Sequence, residues 1–308
     1  MKTFPLYRLI FKSPIKILDL PIHSDTIYSA IYSISLKVDP DFCSEILKGK
    51  IVISSCFPFI RKNSGITYYF PKPVNLDLAY SEKDLTVKKE LKKLSFIPKD
   101  MFCKFINGEK LKFDLKKINE ISEDIKKIFR TNMRPKVILD RVTQNSELYH
   151  QAELYINSKI GGFYLMAFCE DEKVLERFEG LLKLLGDEGI GGKRSEGHGF
   201  FEIEKDYLDI DEPDDGEGFI NLSLYLPSEG EMDKIDFNKS AYTLIQRRGW
   251  FLLDSGKSFK RKPVWMFKEG SLLNVFPKGC AINVSPDWLK QKGINVYRFG
   301  YCLSIKKR

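Results

Sequence analysis

Two apolar stripes at helical spacing, each set between strand-like segments, constrain the fold of this chain more than any other feature. Ile27, Ala30, Ile31, Ile34 and Val38 recur at i, i+3, i+4, i+7 and i+11. Val174, Leu175, Phe178, Leu181, Leu182 and Leu185 mark a second stripe of the same period. Ser24 and Asp25 stand where the first helix would have its N-cap. Phe4–Phe11 alternates aromatic and aliphatic residues as a strand does, and Lys50–Phe57 reads as a short buried strand. Strand patterns return at Val137–Val142, Glu147–Ile156 and Gly161–Cys169, and again at Phe200–Glu204 after the second helix. With the segment from about 74 to 136 set aside as an insertion, the order is β-α-β-β-α-β, which predicts a ferredoxin-like domain over residues 1–204. Phe219–Leu226, Ala241–Leu253, Lys262–Phe267, Gly270–Phe276 and Asn295–Ser304 predict a smaller, strand-rich domain over 218–308. The fold class expected is α+β.

Charge is segregated along the 308 residues, whose net charge is +8. Residues 83–140 hold 16 Lys/Arg against 9 Asp/Glu, 204–218 hold 8 acids and one lysine, and 239–270 hold 8 basic and 2 acidic residues. Two basic surfaces facing a polyanion, separated by an acidic linker at 205–217, account for this placement, as do the solvated faces of ordinary helices. Weak periodicity and paired lysines make 74–136 look inserted into the first domain rather than part of its core. With 43% hydrophobic residues the chain has material for a core, which excludes disorder. The longest uncharged runs, Thr26–Leu36 and Gly218–Ser228, have eleven residues, against roughly 18 for a bilayer-spanning helix. Arg8, Lys12, Lys16 and Asp19 interrupt any signal-peptide core. Six scattered cysteines without a C-x-x-C pair argue against disulfides and zinc, so the cytoplasm is the expected compartment.

The segment Gly189-Ile-Gly-Gly-Lys-Arg-Ser-Glu-Gly-His-Gly199 invites a nucleotide-binding reading, but neither common template fits. A P-loop would need glycine at Asp187 and Ser/Thr at Arg194, and a dinucleotide loop follows a strand, whereas this one follows a helix. Glycines let main-chain N–H groups approach an anion, and Lys193 and Arg194 add cations for phosphates. The alternative is a solvated turn, although five glycines in eleven residues exceed what a turn needs. His23 and Ser24 sit at a helix start, where the choice is between simple capping and an anion held by the dipole. Arg247-Arg248-Gly249-Trp250 combines phosphate-binding cations with an aromatic face, or else is an ordinary strand with Trp250 in the core. His23, His150 and His198 have no partner pattern, so neither a catalytic set nor a metal site is expected, and no cofactor is called for.

Three segments occur in the order of a known family: His23-Ser-Asp-Thr-Ile-Tyr-Ser-Ala30, Leu139-Asp-Arg-Val-Thr143 with Leu148-Tyr149, and the glycine loop through Phe200. The chain resembles the RAMP-superfamily subunit of type III-A CRISPR effector complexes (Csm type) that holds the 5′ tag of the CRISPR RNA. Arg248-Gly-Trp-Phe251, Pro263–Ser271 and Val296-Tyr-Arg-Phe-Gly300 extend the likeness over nearly the whole chain. His198 departs from it, standing where an aromatic residue is expected. The resemblance implies two ferredoxin-like (RRM-like) domains, a basic thumb, and a non-catalytic RNA-binding cap. It also implies docking on the large polymerase/cyclase subunit and on the backbone RAMP subunit. The RNA-contacting residues expected are His23, Ser24, Arg141, Gly189, Gly191, Gly192, Lys193, Arg194, Ser195, Gly197, Arg247 and Arg248. The alternative is a RAMP-type CRISPR-RNA processing endonuclease with His23 as general base, Lys193 or Arg194 stabilising the phosphorane. A type III-B equivalent would differ only in its partners.

Overall fold

Alternation along the first apolar segment produces β1 (Lys2–Phe11), with Phe4, Leu6, Leu9 and Phe11 turned into the core. The computed structural model describes residues 1–17, 20–76, 85–253 and 256–308. The first stripe becomes the buried face of α1 (Ser24–Val38) through Ile27, Ile31 and Ile34, while Val38 is exposed. After α2 (Pro40–Leu47) come β2 (Ile51–Ile53), β3 (Phe57–Lys62) and β4 (Gly65–Pro71). The chain continues through α3 (Leu85–Lys93), β5 (Phe96–Pro98), α4 (Lys99–Ile106) and α5 (Leu115–Ile128). Two long strands, β6 (Phe129–Leu139) and β7 (Ser146–Ile156), precede β8 (Gly161–Cys169), α6 (Glu172–Glu188) and β9 (Phe201–Ile210). The large sheet runs β5-β4-β3-β8-β1-β9, with β2 also on β8, and every pair is antiparallel. The second stripe seats α6 through Val174, Phe178, Leu181, Leu182 and Leu185, and α6 packs against α1 and β9.

The basic segment 74–136 differs from its expected form, although 77–84 lies outside the described residues. From α3 to α5 it is packed into the main core through Leu91, Ile97, Phe102, Phe105, Ile106, Phe113, Ile118 and Ile121. β5 extends the sheet by pairing with β4, Tyr69 opposite Pro98. What projects instead is the β6–β7 ribbon, in register from Phe129↔Ile156 to Leu139↔Ser146 with most side chains exposed. The acidic segment also departs from a linker over its first half. Residues 205–210 belong to β9, paired with β1 from Phe11↔Phe201 to Lys2↔Ile210. Its acids face bases across the sheet: Arg8 of β1 places Nε 2.9 Å from Glu204 and Nη1 2.7 Å from Asp206, and Arg61 of β3 lies 2.8 Å from Glu204.

Beyond residue 210 the chain is built from short strands. β10 (Gly218–Asn221) is the centre of a three-stranded sheet. β11 (Leu244–Arg247), β12 (Trp250–Leu252), β13 (Ser258–Lys260) and β14 (Val264–Phe267) follow. β15 (Leu272–Leu273) and β18 (Ser304–Lys307) flank β10, and β16 (Ala281–Asn283) pairs with β17 (Tyr297–Phe299). β11 pairs with β14 and β12 with β13, and Arg261 N donates to Gly249 O at 2.9 Å, so the four make one bent ribbon. Arg247 opposes Val264 while Gly249 meets Arg261, which leaves Arg248 facing both Lys262 and Pro263. This is a β-bulge: Pro263 has no N–H to give, and Lys262 N turns away to Val284 O at 2.9 Å.

One core cluster spans both halves, taking in Ile220, Leu222, Phe299, Tyr301, Leu303 and Ile305 with the first-half residues. Tyr28 stacks on Phe299 at 5.5 Å, and Ser223 Oγ donates to Ile53 O at 2.7 Å. Among the described residues, no helix is long and apolar enough to cross a membrane.

Candidate nucleic-acid interface

The glycine loop is fixed in place rather than free. Gly189, with φ +78°, closes α6, and its N–H donates to Leu185 O at 2.8 Å. Ile190 N donates to Gly199 O (3.0 Å), Gly192 N to Lys16 O (2.9 Å) and Gly199 N to Pro14 O (2.8 Å). The segment carrying Pro14 and Lys16 is itself tied to the ribbon, since Ile15 and Leu154 exchange two hydrogen bonds of 2.9 Å. At the loop tip Lys193 has φ +64° and Arg194–Glu196 make one 3-10 turn, which Gly197 closes at φ +86°. Gly189, Gly191, Gly197 and Gly199 therefore serve positive-φ backbone, and Gly189, Gly192, Gly197 and Gly199 spend their N–H groups inside the protein. Among the described residues, the N–H groups of Gly191, Lys193, Arg194 and Ser195 have no acceptor. They are the donors left for an anion.

The charges at this tip are already paired. Glu196 takes Lys193 Nζ through one oxygen and Lys136 Nζ through the other. Hydrogen bonds from Lys136 and Lys193 hold its carboxyl down to about 2. Arg194 lies 3.5 Å from Glu188. A carboxylate thus bridges loop and ribbon where two ammonium groups converge, which is the chemistry a phosphate oxygen would satisfy. Arg141 sits at the far tip of the ribbon, exposed, beside Asp140, which accepts from Val142 N (2.8 Å) and Thr143 N (3.1 Å). β6 runs on for three residues past Lys136, roughly 10 Å, before the turn that carries Arg141, so the structure does not bring Arg141 to the loop. His198 is buried beneath the loop, Nε2 3.1 Å from the buried Glu153 carboxylate, so it is no stacking platform.

His23, Ser24 and Arg247 lie at the junction of the two halves instead. His23 is buried, its Nδ1 2.8 Å from Glu269, whose same oxygen accepts from Ser55 Oγ. Burial pushes the Glu269 carboxyl up, but His23 and Ser55 outweigh it and the net shift is downward. The expected capping does not occur. No side chain caps α1, and Ser24 Oγ instead accepts from Leu224 N at 3.0 Å while Ser24 N donates to Ser55 Oγ at 2.8 Å. Asp25, fully buried, receives Arg247 through two bonds of 2.9 Å, and Arg298 as well. Burial alone would raise the Asp25 carboxyl, but the two guanidiniums hold it at about 2. Strand alternation turns the next side chain to the other face, leaving Arg248 exposed and bonded to Gln246. Trp250 is 60% exposed rather than in the core.

Sequence reasoning missed Lys136, Lys16 and Arg298. Lys136 and Lys16 face the loop only because long-range pairing brings the ribbon and residues 14–16 beside it. Arg298 lies within a segment already singled out, and a lone arginine in a strand gives no sign that Asp25 awaits it.

A family model, the CRISPR Csm4 C-terminal domain, matches residues 214–306. The chain is 31% identical over 297 residues to the CRISPR system Cms protein Csm4 of Thermococcus onnurineus, covering 91% of this chain and 90% of that one. Identity to the Methanocaldococcus jannaschii protein of the same name is 25% over 315 residues, with 86% and 82% covered. In fold it is similar to a chain of the Csm1–Csm4 cassette crystallised with cA4, with a TM-score of 0.66 at 22% identity, covering 100% and 98% of the two chains. It is also similar to a chain of the Csm3–Csm4 subcomplex of the type III-A CRISPR-Cas interference complex, with a TM-score of 0.65 at 18% identity and full coverage of both.

Proposed function

The chain belongs to the Csm4 family, and from that membership we propose that it is the subunit of a type III-A CRISPR interference complex that grips the 5′ tag of the CRISPR RNA without cutting it. The observation that carries this reading is the tip of the glycine loop. Free N–H groups at Gly191, Lys193, Arg194 and Ser195 stand beside Lys193, Arg194 and the ribbon's Lys136, on backbone held by Pro14 and Lys16. RNA phosphate replaces Glu196 as the anion between the two lysines, and Arg141 reaches a more distant stretch of the strand from the ribbon tip. Non-catalytic binding is favoured over processing because the one histidine offered as general base is buried and spent on Glu269.

Large-sheet neighbours β9-β1-β8-β3 follow chain order 4-1-3-2, which supports a ferredoxin-like first half. In the second half, among the described residues, helix is limited to the single turns Glu229–Met232 and Asp287–Lys290, so support for a second such unit is confined to the resemblance. Relatives crystallised with Csm1 and with Csm3 support docking of this chain to a large subunit and to a backbone subunit. Trp265 and Leu252, both more than half exposed, are surface of the kind that a subunit contact covers.

The test is binding of tag-bearing RNA by wild type and by Lys193→Ala/Arg194→Ala across a salt series. The double variant should bind more weakly and lose roughly one to two units of salt slope. Unchanged affinity and slope would remove the loop from the RNA path.

A further inference from the structure

The junction holds more positive charge than it neutralises. Asp25 is shared by Arg247 and Arg298, and Arg298 is only 3% exposed. Arg261, on the bent ribbon opposite Gly249, is half-buried with its Nε inside the protein. Among the described residues its guanidinium has neither a hydrogen bond nor an ion pair, and the Nε of Arg298 is equally without an acceptor. Burial, then repulsion from Arg298, lowers Arg261 from its ordinary value to about 10, with Asp25 opposing and Arg247 adding to the effect. Of the other acids in this half, Asp287 is paired with Lys262, and Glu269 is bonded to His23 and Ser55 through Oε1 while its Oε2 is buried without a partner.

Three guanidiniums against one carboxylate is a poor arrangement for a folded chain on its own, because a covered charge without a partner keeps its desolvation cost. It is a good arrangement for a site that meets its anion later. The place borders on solvent: Arg261 is itself partly exposed, and opposite it Gly249 lies between the exposed Arg248 and Trp250, with nothing within 4 Å of a Cβ built there. We propose that Arg261, with Arg298 and Arg247 behind it, forms a second anion site at the junction of the two halves, and that it takes a phosphate of the bound RNA. This rests on the RNA-gripping reading above and adds a contact remote in sequence from the glycine loop. Phosphate is favoured over a partner's carboxylate because the flanking groups are Arg248, bonded only to the neutral Gln246 amide, and the exposed Trp250 indole with Lys260 Nζ 5.3 Å from its ring centre, which together suit a nucleotide.

The test compares wild type, Arg261→Ala and the loop double variant Lys193→Ala/Arg194→Ala in RNA affinity across salt. It also follows melting of the free proteins with inorganic phosphate against chloride at equal ionic strength, and Arg261→Gln serves if the alanine variant does not fold. The proposal expects Arg261→Ala to bind RNA about tenfold more weakly, with a salt slope lower by about 0.7. It expects the free variant to melt higher than wild type, not lower, because an unpaired buried charge has gone. Phosphate should stabilise wild type and not Arg261→Ala. Unchanged RNA affinity in Arg261→Ala overturns the site if the loop variant is impaired. If only Arg261→Ala is impaired, the junction site stands and the loop reading falls. Phosphate stabilisation lost without any change in RNA binding rejects RNA as the source. A lower melting point with RNA binding intact makes Arg261 a packing residue. Loss of co-elution with a partner subunit alone gives the site to a carboxylate.

Discussion

A carboxylate wholly buried between two guanidiniums, as Asp25 is between Arg247 and Arg298, holds two parts of a chain together only while it is ionised. Its carboxyl titrates at about 2 in the folded protein against 3.8 ordinarily. The stability it contributes is therefore fully present above about pH 4 and lost as pH falls through about 2. Asp25→Asn should lower unfolding free energy by about 3 kcal/mol at neutral pH, measured by chemical denaturation, since it strands the arginines without a counter-charge. The variant should also lose less stability than wild type between pH 4 and pH 2; an equal loss would show that other carboxylates govern acid unfolding. Glu196 poses the opposite case, an exposed acid in the way of a ligand. Glu196→Gln should bind tag-bearing RNA about threefold more tightly at low salt, with the gain fading as salt rises. Weaker binding would mean that Glu196 positions the two lysines rather than competing for them.

The β6–β7 ribbon is the element whose removal separates binding from folding. Its side chains are mostly exposed between Thr131 and Leu148, so replacing Lys136–Tyr149 by a two-residue turn should move the melting temperature by no more than about 2 °C. RNA affinity should fall at least tenfold, because Lys136 and Arg141 go together. A ribbon-less protein with intact RNA affinity would shift the interface elsewhere. The strands of this ribbon were legible from their apolar runs, but its length was not, because Phe129–Lys136 is rich in charge. The same charge hid α5, where Ile118, Ile121, Ile125 and Ile128 form a helical stripe between lysines. A helix that meets the core along so narrow a stripe keeps most of its surface polar, and local composition then resembles a loop.

Across the whole molecule, β1, α1, β8 and α6 could be read from sequence because each has a face long enough to show its period. In the second half the strand segments could be read but not their pairing, since strands of two to four residues take most of their partners from distant segments and pack into a core begun by the first half. The site divides in the same way. The glycine loop was visible as composition, whereas the burial of His23 and Ser24 and the Asp25–Arg247–Arg298 contact exist only once the halves meet. The molecule carries unpaired backbone donors and two lysines at the loop tip and keeps inside the one histidine weighed as a general base. The measurement that tests this most directly is incubation of end-labelled CRISPR RNA with a stoichiometric excess of the isolated chain, with and without divalent metal, run on native and denaturing gels. The account predicts full retardation on the native gel, full-length RNA on the denaturing gel, and loss of retardation when the tag is removed. Cleavage at one position that disappears in His23→Ala would contradict it and make the chain a processing nuclease.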